Sequence, residues 1–125
     1  MKVTDLMVGD WIQVKRGFNG HLTNEKIKGL IDDDTESYPI TLATEETVSL
    51  NDVVPIELTE EILVRNGFRI QVVHNNSKWL WVTDSSWLTY SERHNYWYYE
   101  DMKITYIHQL QHFLRLCGVE KEIEL

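Results

Sequence analysis

Pro55-Ile56-Glu57-Leu58-Thr59-Glu60-Glu61-Ile62-Leu63-Val64-Arg65-Asn66-Gly67-Phe68 decides the architecture, because it carries both a start and a stop for one short helix. Thr59 is a good N-cap, its hydroxyl able to accept an otherwise orphaned backbone N–H. Glu60 and Glu61 follow in the first turn, where the helix dipole favours carboxylates. Leu58 and Leu63 stand at the positions of a hydrophobic staple. Gly67 can take the left-handed position after the last turn, which lets Phe68 fold back onto Leu63. The segment predicts a helix from about Glu60 to Asn66.

Strand patterns lie on both sides of this helix. Before it, Trp11 to Lys15 alternates apolar and polar residues, and Gly17, Asn19 and Gly20 break the run. Ile27–Ile31, Tyr38–Leu42 and Thr47–Leu50 follow as short runs, the spacing of a small barrel or a curled antiparallel sheet. The opening Leu6-x-x-Gly9-Asp10-Trp11-Ile12 resembles SH3-like barrels, in which Gly-Asp turns the chain into the first strand. After the helix, Phe68, Ile70 and Val72 share one strand face, and His74-Asn75-Asn76-Ser77 reads as a turn. Lys78–Thr83, Trp87–Tyr90 and Tyr96–Tyr99 read as further strands. Thr105 is placed to cap a final helix, on which Ile107, Leu110, Leu114 and Cys117 form one stripe at helical spacing. Gly118 ends that helix, with Val119 set to contact Leu114 and an acidic segment beyond. The expected class is α+β. A β-rich, SH3-like part over 1–57 precedes a helix–antiparallel sheet–helix part over 58–125, the two together forming one compact unit.

The chain has 125 residues, enough for a real core. At 42% hydrophobic and 26% charged it reads as globular. The net charge is −8 and the twelve Lys and Arg residues do not cluster, which argues against nucleic acid as a partner. The single cysteine, Cys117, has no internal disulfide partner and is expected to be a buried small hydrophobe. No run approaches the roughly 18 apolar residues of a membrane span, and the first residues lack a signal-peptide pattern. The expectation is a cytoplasmic protein with no membrane partner.

Catalytic and metal motifs fare poorly. His108 and His112 stand four apart on one helical face, and His-Gln-Leu-Gln-His echoes the zinc-protease motif. That motif needs a glutamate general base where Gln109 stands, and an amide takes up no proton near neutral pH. The spacing supplies no third ligand, although His74, His94 or a carboxylate could fold nearby, and Arg115 on the same side suits a solvated position for the pair. Asp32-Asp33-Asp34-Thr35-Glu36 fails as a calcium loop, since Ser37 occupies the turn glycine's place and Ala43 that of the closing glutamate. It reads as an acidic hairpin tip. Gly17-Phe18-Asn19-Gly20 leads into no helix and is no phosphate loop. No cofactor is implied.

Aromatic residues are denser than a core needs. Trp79, Trp81, Trp87, Tyr90, Tyr96, Trp97, Tyr98 and Tyr99 fall within 21 positions. Strand alternation sets Trp79 and Trp81 opposite Leu80 and Val82, and Tyr96 and Tyr98 opposite Trp97 and Tyr99. A sheet with one face on a helix needs large apolar residues on one side only. Either cross-strand pairs brace the sheet under a cover supplied by the N-terminal part, or one face is exposed and binds a partner.

The segments Pro55–Leu63, Asn66-Gly67-Phe68 and Tyr106-Ile107-His108-Gln109-Leu110-Gln111 resemble a group of small uncharacterised proteins from Bacteroidetes genomes and their phages and prophages. Members open with a Gly-Asp or Gly-Asn turn and end in a helix reading val-his-glu-leu-gln-asn. This chain departs at Gln109, where the group usually has Glu, and at His112, where it usually has Asn. The resemblance implies a small accessory protein and supplies no activity. The expected function is a non-enzymatic protein-interaction module of phage, prophage or mobile-element origin. Its partner is a protein or a second copy of itself, bound through Trp79, Trp81, Trp87, Tyr96, Trp97, Tyr98 and Tyr99. The alternatives are a metal-dependent hydrolase using His108 and His112, and a carbohydrate-binding module using the aromatic sheet.

Overall fold

The computed structural model describes residues 1–73 and 77–125. The turn expected at 74–77 therefore lies, but for Ser77, outside the described residues. The chain divides into two compact units, Met1–Ile56 and Glu57–Leu125. Each holds one five-stranded, wholly antiparallel sheet, and the second adds two α-helices, so the fold is α+β.

In the first unit the strands are β1 (Trp11–Arg16), β2 (His21–Leu30), β3 (Ile40–Leu42), β4 (Thr47–Val48) and β5 (Val53–Val54). Their order is β4-β3-β2-β1-β5, with no pairing between the two edges among the described residues, so the sheet is open rather than a closed barrel. Leu6, Ile12, Val14, Ile27, Ile40, Leu42, Val48 and Val53 make its core. The Gly9-Asp10 turn is built from both residues. Gly9 takes φ +94°, a conformation that costs a side-chain-bearing residue energy. Asp10 is fully buried, and its carboxylate accepts the Met7 N–H at 2.8 Å. The Gly9 N–H donates to the Ile27 carbonyl at 2.8 Å, and the Ile27 N–H to the Asp10 carbonyl at 2.9 Å, which fixes the start of β1 against β2.

β2 is longer than its sequence suggested, beginning at His21 directly after the Gly17–Gly20 turn. Its first residues, polar but for an exposed Leu22, lie at an exposed end of the sheet, and the register with β1 (Arg16↔His21 through Trp11↔Lys26) holds it by backbone pairing rather than burial.

The second unit opens with α1 (Glu60–Arg65), bounded as the sequence requires. The Thr59 hydroxyl accepts the Ile62 N–H at 3.3 Å. At the other end Phe68 N–H reaches the Leu63 carbonyl at 3.0 Å and Gly67 N–H the Val64 carbonyl at 3.0 Å, with Gly67 at φ +82°. This is the Schellman pattern. Next come β6 (Arg69–Val72), β7 (Lys78–Trp81), β8 (Trp87–Ser91), β9 (Tyr96–Tyr99) and β10 (Met102–Ile104), each paired with its sequence neighbour. The chain ends in α2 (Ile107–Leu116) and the segment beyond it. The second helix stops by the same device, Val119 N–H to the Leu114 carbonyl at 2.9 Å with Gly118 at φ +71°.

Three expectations about α2 need correction. Its N-cap is Tyr106, not Thr105. The Gln109 side chain closes that end, its Oε1 accepting the Thr105 N–H at 2.8 Å and the Tyr106 N–H at 3.1 Å. Cys117 is exposed rather than buried, because α2 ends at Leu116 and the apolar stripe stops with it. His108 is buried at 4% exposure rather than solvated, because the buried face of α2 is broad and takes in His108 and Gln111 beside Ile107, Leu110 and Leu114.

The acidic segment after α2 is held in place. Ile123 is 2% exposed. Beside it, the Asn66 side chain grips the Glu124 backbone at two points, Nδ2 donating to the carbonyl at 2.9 Å and Oδ1 accepting the N–H at 2.7 Å. Asn66 Nδ2 also donates to the Ile62 carbonyl at 2.8 Å, so one amide closes α1 and clasps the segment together.

Candidate functional site

Register divides the aromatic block between the two faces of the second sheet. Leu80 pairs with Leu88, and Tyr90 with Trp97, which pairs in turn with Ile104. These residues point inward, where Leu80, Leu88, Trp97 and Ile104 are no more than 2% exposed. The ring of Tyr99 meets Phe113 of α2 at 5.6 Å, which sets α2 on this inner side. Trp97 is thus core and leaves the candidate surface. Tyr99 belongs to the inner side by alternation, yet at 43% exposure it also borders the groove that Trp87 and Tyr98 line.

The outer face carries Trp79, Trp81, Trp87, Tyr96 and Tyr98. None of the five is buried, and Tyr98 is 37% exposed. Trp81 pairs directly with Trp87, and Trp79 with Thr89, which pairs with Tyr98. The three indoles touch one another. Trp79 and Trp87 stack at 4.7 Å with a 23° interplanar angle, Trp81 lies 5.1 Å from Trp87, and Trp79 meets Trp81 edge-on at 5.9 Å. Polar neighbours fix the cluster's orientation. Trp81 Nε1 donates to Gln71 Oε1 at 3.0 Å, and the Arg69 guanidinium sits 4.7 Å from the Trp81 ring centre. Tyr96 is held similarly, with the His94 ring stacked 5.3 Å away and the Lys103 ammonium 5.5 Å from its ring centre. Contacts of these kinds contribute about 0.5–1.5 kcal/mol for ring pairs and ~0.5–1 kcal/mol for exposed cation–π pairs. Their larger effect is to hold large rings in one arrangement before anything binds.

One groove opens on this face. Trp87, Tyr98 and Tyr99 line it with Thr89, and Ser85, Ser86 and Glu100 complete it, with a volume of about 250 Å³. Glu100 stands in the two-residue turn between β9 and β10 at φ +52°. A non-glycine residue held there costs about 1 kcal/mol.

The histidine pair has a different character. His108 lies against Tyr106, ring planes within 7° and centres 6.0 Å apart, and meets His112 edge-on at 5.7 Å. Among the described residues, no group of three or more His, Cys, Asp or Glu side chains is placed to hold a metal ion. Gln109, the residue that breaks the protease motif, serves as the helix cap described above. His74 lies outside the described residues, and His94 is engaged with Tyr96 and with Ser91 Oγ at 3.1 Å.

The acidic stretch 32–36 lies between β2 and β3 and borders a recess of about 670 Å³ that Lys2, Ser49 and Asn51 also line. Asp33 Oδ1 accepts the Thr35 N–H at 2.9 Å and the Thr35 hydroxyl at 2.8 Å, and these bonds hold the Asp33 carboxyl below the usual aspartate range. On the other unit Lys78 is paired with Glu60 at 2.6 Å, which raises its pKa above the usual lysine value and ties β7 to α1. No helix among the described residues is long and apolar enough to cross a membrane.

Strand alternation alone separates the two aromatic faces but does not say which one turns outward. The groove could not be read from the sequence, because it depends on register between β8 and β9 and on the turn after Tyr99. Compared with known proteins, the chain matches no family model, no curated protein and no solved structure.

Proposed function

We propose that this protein is a non-enzymatic interaction module that engages a partner protein through the outer face of its second sheet. The observation that carries the reading is the cluster of Trp79, Trp81 and Trp87, half-buried and preassembled, with Tyr96 and Tyr98 beside it. Tryptophan and tyrosine in such a setting are the residues that dominate binding energy at protein contacts. Ring packing and the Gln71 and Arg69 contacts have already restricted these side chains, so less entropy is lost on binding.

Size argues for a transient partner over a permanent dimer. Five strands at about 4.8 Å spacing and four residues at about 3.3 Å give a footprint of roughly 300 Å². Even doubled for surface relief, that falls short of the ~800 Å² per partner of a stable interface. A short segment of another protein fits better than a second globular copy. The mobile-element setting is suggested by the resemblance of the central and C-terminal segments to small phage and prophage proteins.

The test compares wild type with the Trp79→Ser, Trp81→Ser double variant after circular dichroism confirms an unchanged fold. Both are immobilised and used to capture partners from expressing cells, and both are run in sedimentation velocity. A species held by wild type and lost by the variant supports the reading, whereas self-association of wild type lost in the variant would replace the partner protein with a second copy of the chain. Equal behaviour of the two proteins refutes it.

A further inference from the structure

We propose that the groove between Trp87 and Tyr98 receives an arginine side chain from a basic segment of the partner. The inference rests on the reading of the outer face as a contact surface and names the chemistry it selects. Three observations carry it.

The first is size. At about 250 Å³ the groove is below the roughly 300–1,000 Å³ of sites that enclose drug-sized ligands or cofactors. It suits one long side chain.

The second is composition. Three aromatic residues, Trp87, Tyr98 and Tyr99, line it together with the acidic Glu100. Arginine is the side chain that uses both, since its planar guanidinium stacks on rings while its N–H fork meets a carboxylate. The chain's net charge of −8 favours approach of a basic segment.

The third is that the same sheet already solves this problem with its own residues. Arg69 lies over Trp81, Lys103 over Tyr96 and Lys78 over Tyr90. Among the described residues, no cation of the chain lies over Trp87 or Tyr98, and Glu100 makes no ion pair. The groove repeats the ring-and-cation arrangement with the cation left for another molecule to bring.

The experiment is an NMR titration of the ¹⁵N-labelled full chain with a blocked Gly-Arg-Arg-Gly peptide through the millimolar range. Gly-Lys-Lys-Gly, Gly-Glu-Glu-Gly and cellotetraose are run in parallel. The expected result is saturable shifts at the Trp87 indole N–H and the Thr89 and Tyr98 amides, stronger for arginine than for lysine and absent for glutamate. Glu100→Gln, a change on an exposed turn, should weaken binding about tenfold, and Tyr98→Ser about fivefold. Asp33→Asn in the other acidic loop should leave it within about twofold. If Tyr98→Ser does not fold, Glu100→Gln decides. Shifts centred on residues 32–36, binding unchanged by Glu100→Gln, a response to cellotetraose alone, or no response would each overturn the proposal. Should the peptide fail while the double tryptophan variant still loses its partner, the arginine specificity falls and the contact face stands. Should the double variant keep its partner, the face itself is wrong.

Discussion

Replacing Ile123 with alanine tests whether the last residues are part of the second unit or merely follow it. Ile123 is 2% exposed, and loss of a fully packed isoleucine side chain costs about 2–5 kcal/mol. Its neighbour Glu124 is held by two backbone bonds from Asn66, which makes a third bond to α1. Net hydrogen-bond contributions of about 0.5–1.5 kcal/mol each, taken near the lower end for a partly exposed site, put Asn66→Ala at roughly 1–3 kcal/mol. The two losses should not add. Once the clasp is open the segment is free, and the freedom regained, about 1–2 kcal/mol per backbone residue, offsets part of what is lost. The double variant should therefore lose less than the sum of the singles, with a coupling of at least about 0.5 kcal/mol. Urea unfolding followed by tryptophan fluorescence reads the second unit, since Trp97 lies in its core. A cost for Ile123→Ala below about 0.5 kcal/mol, the level of an ordinary surface change, would refute the reasoning.

Trp97→Ala should destabilise by about 3–5 kcal/mol in the same assay, while Trp79→Ala, on the outer face, should cost clearly less. Asp10→Ala should cost about 1–3 kcal/mol in thermal unfolding, because it leaves the Met7 N–H without its carboxylate acceptor. Gln109→Ala should lower stability by about 1 kcal/mol through loss of the α2 cap, whereas Gln109→Glu should preserve it, and elemental analysis should find no stoichiometric zinc in either. Asp33 has a depressed carboxyl pKa in the folded chain, so its contribution is present above the unfolded value and lost as pH falls through the folded one. An NMR pH titration should find it protonating after ordinary aspartates on acidification, and Thr35→Ala should shift it back upward.

Local signals were legible and long-range ones were not. Both ends of α1 and the C-terminal end of α2 could be read because caps and Schellman glycines act over a few residues, as at Thr59, Gly67 and Gly118. Strands β7 to β9 could be placed because turn residues punctuate dense apolar runs. The first half of β2 could not, since His21 to Lys26 is polar but for the exposed Leu22 and is held by register rather than burial. Ile123 stands alone among acidic residues, so no periodicity announces that it is core. Its burial depends on Asn66, 58 positions from Glu124. For the candidate site, alternation separated Trp79 and Trp81 from Leu80, yet which aromatic face turned outward depended on where α2 packed. Trp97 fell on the buried face at that step.

The Asn66 clasp also bears on the order of events in folding. All five strands of the second sheet join sequence neighbours, so that sheet can assemble through short loops. The clasp instead encloses nearly the whole unit and can close only once α1 and α2 are in place, because loop closure over such a span is entropically costly. Contacts made after the folding barrier leave the folding rate untouched and set how slowly the native state opens. Weakening the clasp should therefore leave refolding unchanged in stopped-flow measurements and speed unfolding, which makes one half-buried asparagine a control on the lifetime of the unit.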